Sequence, residues 1–295
     1  MQNTLSAPQS TVPAPTSQRR RQRGFSQERA STAWAVAAWI VGIIAFFPVF
    51  YMVITGFKSE AAAVSLPPKL IFKPTLEQYR LILGGDFKPF FVNSMIASLT
   101  STAIVMLLAI PAAYAIALRP TEKWKDVLFF FISTKFLPPA GVIVPLYIIY
   151  KNLGLLSSMR GLIILYTAMN LPIAIWMLRS FFEEVPRDVL DAARIDGAGI
   201  VREMTEILLP MIGPGVVATI FISIIFAWNE FFFAVSLAAA GHATVPIFMV
   251  KFVTSEGLFW AKLAASSTMA VLPIVLLGWA AQRQLVRGLS MGAVK

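Results

Sequence analysis

The chain has no cysteine and a single histidine. The first absence removes disulfides, thiolate nucleophiles and cysteine metal sites. His242 alone cannot build a histidine metal site, and its expected place is the surface. Charge is scarce too. Only 14% of the 295 residues are Asp, Glu, Lys or Arg, against about 25% in a soluble globular chain. That is too little polar surface to cover a water-soluble fold. What fills the chain instead is apolar: 57% of it is hydrophobic, with a mean hydropathy of +0.73. This composition predicts a chain that crosses a lipid bilayer several times. The net charge of +10 would suggest nucleic acid in a soluble domain. Here the basic residues fall in short segments between apolar runs, where they set topology, and no nucleic-acid partner is expected.

A spanning helix needs about 20 mainly apolar residues. Six segments meet that need, at about 33–57, 92–118, 126–149, 161–180, 212–238 and 262–282. The third carries Pro138, Pro139, Gly141 and Pro145 and is predicted to be kinked or broken. Residues 1–30 are rich in Ser, Pro, Gln, Thr and Arg and are expected to be disordered. Their "RRRQRG" run is expected to act as a cytoplasmic anchor rather than as a nucleic-acid arm. Fifteen of the 25 Lys and Arg fall on the side of the termini, against nine in the three opposite loops, with Lys135 inside the third segment. This bias places both termini in the cytoplasm. In the 58–91 loop, "TLEQYRLIL" predicts a short helix with Leu76, Tyr79, Leu81 and Leu83 as its apolar residues. It either lies on the membrane surface or caps the bundle.

The loop before the fifth segment is the charged exception. "DAARIDGAGIVREMTEILLP" (Asp191 to Pro210) reads as helix, turn, helix. Pro186 suits a first helical position, and Gly197 and Gly199 end the first helix. Val189, Ala192, Ala193 and Ile200 are expected to share a small-residue face, and Ile200, Met204, Ile207 and Leu208 to form a second apolar stripe. In the fifth segment, Asn229 and Glu230 are polar groups at membrane depth, where such groups usually face a bundle interior or a cavity. They are candidates for the substrate pathway. The alternative for Glu230 is a structural bond, for instance to Lys135. Asn170 is expected to bond between helices.

The spacing in the charged loop resembles the "EAA" motif of bacterial ABC importer permeases: E-A-A, three residues, G, nine residues, I-x-L-P. Asp191, Ala192 and Ala193 match the first three places, with Asp for Glu. Gly197, Ile207, Leu209 and Pro210 match the rest. The tail "QRQLVRGLSMGAVK" and "AWNEFFFAVSL" (Ala227 to Leu237) resemble the maltose-type G-subunit carbohydrate permeases. "STKFLPPAGVIVPLYI" and "SEGLFWAKLAASST" are most like the mannitol/glucitol branch.

The resemblance implies an all-α, six-helix type I importer permease in the bacterial inner membrane, with residues 31–295 as the permease domain. Residues 183–210 would form the cytoplasmic coupling loop between helices 4 and 5, and 283–295 a cytoplasmic tail. The implied partners are a second permease, two ATPase subunits and an external binding protein. The cargo would be a sugar or sugar alcohol. ATP and Mg would be bound by the ATPases, and this chain itself would hold no cofactor or metal and have no catalytic site. No G-x-x-x-x-G-K-[ST] loop occurs in it. Alternating access, biased by ATP binding in the partners, would move the cargo. The competing reading is a proton-coupled secondary transporter with Glu230 as relay, which leaves the motif spacing unexplained. A channel fits less well, and an enzyme least.

Overall fold

The computed structural model describes residues 17–119, 122–254 and 257–291. They belong to two compact units divided between Tyr51 and Met52. The first unit is the greater part of α1 (Ser17–Thr55). Residues 17–30, expected to be disordered, are therefore helical, and residues 1–16 lie outside the described residues. The apolar side chains of α1 from Trp34 to Phe50, among them Trp39 and Ile44, are exposed.

The second unit is almost entirely helical. α2 (Glu60–Ala63) and α3 (Glu77–Gly84) are short. α4 (Phe87–Leu118) is long. α5 (Trp124–Ser133) and α6 (Pro139–Asn152) follow, then α7 (Met159–Glu183). The charged loop forms α8 (Arg187–Ile195), α9 (Ile200–Arg202), a π-helical stretch (Glu203–Leu208) and α10 (Leu209–Met211). α11 (Gly213–Trp228), α12 (Phe232–Leu237), α13 (Ala239–His242) and α14 (Val245–Val250) come next. A two-residue antiparallel ladder pairs β1 (Val253–Thr254) with β2 (Gly257–Leu258) before α15 (Trp260–Met291).

Four stretches are long and apolar enough to cross a membrane by themselves: Thr32–Thr55, Phe87–Leu118, Met159–Glu183 and Trp260–Gln284. Two bent pairs bring the total to as many as six. Trp124–Phe136 meets Pro139–Asn152 at 99°, and Ile200–Met211 meets Gly213–Trp228 at 81°. The first bend has a local cause. Leu137 and Pro138 each precede a proline, which disfavours helical backbone, and both are extended (ψ 123° and 129°). Pro139 then opens α6, where its missing N–H costs nothing. The expected fifth segment, 212–238, is not one helix. α11 ends at Trp228 and α12 starts at Phe232. At 16 residues, α11 alone is about 24 Å long, short of a hydrocarbon core of about 30 Å.

The body is built around the pairing of α4 with α7. The buried side of α4 runs Ser94, Ala97, Ser98, Ser101, Thr102, Val105, Ala109 and Ala113. These recur every three to four residues and most are small, so the backbones approach closely. α7 fills the space with Leu162, Tyr166, Ile175, Leu178 and Phe182. Ser98 and Ser101 return their hydroxyls to their own helix, Ser98 to Ser94 O at 2.7 Å, while the Ser94 hydroxyl accepts from Val245 N at 2.8 Å. Asn170 on α7 donates a long bond, 3.5 Å, to Ser223 O on α11.

The short elements pin the long ones. Both carboxylate oxygens of Glu60 accept backbone N–H groups of α15, from Lys262 and Ala261 at 3.0 Å. α3 packs on α15 and α4 through Gln78 and Ile82, while Leu76, Leu81 and Leu83 are exposed. Of the four residues expected to build this helix, Tyr79 packs on the same core as Ile82. His242 is half-buried rather than a surface residue. Its Nδ1 lies 2.8 Å from the Ser157 carbonyl, and Ser157 N donates to Leu237 O. At the start of α7, a Cβ on Gly161 would strike the Leu155 carbonyl. That atom is backbone and cannot swing away. Gly161→Ala is therefore expected to cost about 1–3 kcal/mol by overpacking, seen as a lower midpoint in detergent thermal unfolding.

Candidate functional site

The motif residues occupy α8 and the stem beyond it. Pro186 is extended (φ −60°, ψ 134°) and sits just outside α8, so the helix begins at Arg187, one residue later than expected. α8 buries Leu190 and Ala193, one turn apart, and Leu190 joins the core cluster that also holds Leu178, Phe182 and Leu208. This corrects the expected small-residue face: Ala193 is buried, Val189 is half-buried, and Ala192 and Ile200 are exposed. Ile195 is 86% exposed. Asp191 is exposed and lies 3.6 Å from Arg194 one turn on.

Gly197 ends α8 with φ +77°. Gly197 N donates to Arg194 O at 3.1 Å, and Ala198 N donates to Ala193 O at 2.9 Å. This pair of bonds is a Schellman cap, whose left-handed residue is most often glycine because a Cβ is penalised there. Nothing lies within 4 Å of a Cβ built on Gly197. The demand for glycine inside this chain is therefore conformational, and the space in front of it is open.

Beyond the turn, Ile207 and Leu209 are half-buried and Pro210 is exposed. Leu208 is the fully buried member of the stem, and Ile200 is not part of its buried side. The stem also buries Glu203 completely, a residue that sequence reasoning passed over. Its neighbours in sequence, Ile200, Met204 and Ile207, belong to the expected apolar stripe. A carboxylate within that stripe was the available signal.

The two pathway candidates are held by different partners. Asn229 is exposed, donates from Nδ2 to Ile225 O at 2.9 Å, and lines a cavity of about 320 Å³ with Trp228, Met249 and Ser267. The Glu230 carboxylate accepts from Phe233 N at 2.8 Å and Ala234 N at 2.9 Å. It caps the first turn of α12, whose free N–H groups favour a negative charge. Lys135 does not reach Glu230; its Nζ donates to Met169 O at 2.8 Å. No cluster of three or more metal-ligating side chains occurs among the described residues.

Residues 106–290 match the model of the family described as "binding-protein-dependent transport system inner membrane component". The chain belongs to this family. A probable ABC transporter permease of Sinorhizobium fredii is 34% identical over 263 residues, covering 89% of this chain and 95% of its own. The trehalose transport permease SugB of Mycobacterium tuberculosis is 32% identical over 273 residues, covering 90% and 98%. A crystal structure of a bacterial ABC transporter that imports the acidic polysaccharide alginate aligns with a TM-score of 0.71 at 19% identity. It covers 93% of this chain and all of that one. The fold is thus that of a type I ABC importer permease, and the chain is a multi-pass membrane protein and a transport component.

Proposed function

We propose that the chain is one of two permease subunits of an ATP-driven importer for a carbohydrate. α8 and its glycine turn would be seated on an ATPase subunit, and an external binding protein would deliver the cargo. The observation that carries this reading is the shape of the charged loop: a short helix anchored on its inner side by Leu190 and Ala193, with Ile195 and the open Gly197 turn facing away. Exposed apolar side chains on both sides of the turn, Ile195, Ile200 and Val201, suit a partner's surface. The carbohydrate class is supported by the trehalose permease of Mycobacterium tuberculosis. A sugar alcohol is the favoured member, on the likeness of 133–148 and 255–268 to the polyol branch. The proton-coupled alternative loses its main support, because the Glu230 carboxylate is already engaged by two backbone amides.

Two experiments test this reading. The tagged chain, purified from its native membranes, is expected to bring down an ATPase and a second permease. Mass spectrometry of the compound eluted from the associated binding protein is expected to find a sugar or polyol. An amino acid or peptide there would overturn the substrate class, and a chain that moves sugar by itself on a proton gradient would overturn the importer reading. The orientation is tested by cysteine labelling, which is clean in a chain without native cysteine. A membrane-impermeant thiol reagent added to sealed cells is expected to modify Leu70→Cys and spare Ala198→Cys. Modification of the Ala198 position would reverse the topology.

A further inference from the structure

Glu203 stands at the meeting point of three elements. Its side chain is fully buried, at the start of the π-helical stretch that leads into α10 and α11. One oxygen, Oε1, accepts from the Tyr114 hydroxyl of α4 at 2.9 Å. The other, Oε2, accepts from Arg194 Nε of α8 at 3.4 Å and lies 3.8 Å from the Arg119 guanidinium. Arg119 Nε also donates to the Tyr114 oxygen at 3.0 Å. A buried carboxylate without partners is costly. This one has a phenol and two guanidiniums, contributed by α8 and by the cytoplasmic end of α4. Among the described residues, Arg194 is the side chain of α8 that reaches this carboxylate, and Leu190 and Ala193 are the buried side chains of the helix. π-helical turns recur at functional sites, and here the turn starts on the residue that joins the three elements.

We propose that Glu203 is a positioning residue that clamps α8, the α9–α10 stem and the cytoplasmic end of α4 into one rigid body. A push on α8 then turns α4 and α11 together instead of being absorbed by the loop. The proposal rests on the reading of α8 as the ATPase contact and adds the path by which its motion enters the bundle. Arg194 and Arg119 each expose over 40% of their side chains, so the clamp is set at the protein surface and its outer members can be changed without opening the core. Glu203→Gln keeps an acceptor for Tyr114 and removes the charge that holds Arg194. Arg194→Ala removes the α8 arm alone.

The test uses the full transporter complex. Spin labels are placed at Ala115→Cys on α4 and Asp188→Cys on α8, both exposed positions, and the interlabel distance is measured without nucleotide and after trapping with ATP and vanadate. With Glu203 and Arg194 intact, the distance is expected to stay the same in both states, because the two helices move as one. In Glu203→Gln and in Arg194→Ala it is expected to shift on trapping and its distribution to broaden, while ATPase recovery persists. A distance that already shifts with the clamp intact would overturn the proposal. So would variants that give a lower yield of complex but an invariant distance in what is recovered, the signature of a residue that only stabilises the fold. Arg194→Ala decides the matter where Glu203→Gln does not fold. Failure of the intact chain to bring down any ATPase would strike the underlying reading of α8 and not the clamp.

Discussion

Gly197→Val is expected to reduce uptake by about tenfold or more while the chain still enters the membrane at its normal level. A left-handed backbone costs an L-residue about 1–2 kcal/mol, and 1.4 kcal/mol is a tenfold change in a population. At φ +77° a β-branched residue is among the worst placed. The turn would open, the two Schellman bonds would be lost, and α8 would no longer sit over its stem. Gly197→Asn separates this cause from a filled contact. Asparagine tolerates the left-handed region, and no atom of the chain lies within 4 Å of the new Cβ. Recovery of uptake with asparagine means that the backbone alone requires glycine. Loss with asparagine as well means that a partner surface closes over the turn. Gly197→Asp keeps a tolerable backbone but adds a third negative charge beside Asp191 and Asp196, and it is expected to weaken ATPase recovery. Asp191→Ala removes only an exposed ion pair, a contribution of about 0–1 kcal/mol, and is expected to change little. Uptake and ATPase co-purification, measured together for each variant, check the set.

The second large effect is expected at Glu230. Glu230→Ala leaves the amides of Phe233 and Ala234 without their acceptor, and a buried orphan group costs about 1–3 kcal/mol. α12 packs on α6 and α7 through Phe233, Ala234 and Leu237, so loosening its first turn is expected to lower both the amount of assembled complex and its transport. Glu230→Gln retains one carbonyl acceptor in the same shape. Its NH2 would meet the other backbone N–H, so it is expected to lower assembly less than Glu230→Ala does, and to differ from the intact chain in apparent affinity or rate if the carboxylate also faces the pathway. Uptake kinetics normalised to assembled complex distinguish these roles. Normal transport by both variants would remove Glu230 from the site.

The contrast between Gly197 and Glu203 shows what the sequence made legible. The glycine turn was readable because its cause is local: a helix must end within a few residues, and "DGAG" can end it. The third segment's break was readable for the same reason, since two adjacent prolines act on their own backbone. The sixteen-residue limit of α11 was not, because Asn229 and Glu230 interrupt an otherwise unbroken apolar run and their effect depends on what caps the next helix. Glu203 was illegible as a hub because its partner on α4, Tyr114, lies 89 residues away in sequence. The packing of α4 against α7 and α11 brings that end of the bundle over the stem. Which side of α8 is buried was not legible, because amphipathic spacing over nine residues allows neighbouring faces to compete. Leu190, the larger apolar group, won the buried side over the smaller Ala192.

The central claim is that α8 seats this chain on an ATPase. It is tested most directly by a photoreactive label on Ile195→Cys, introduced into the cysteine-free chain within the assembled transporter. The expected result is a covalent adduct to the ATPase subunit, formed both without nucleotide and with ATP bound. Absence of that adduct from an intact, ATPase-containing complex would contradict the account.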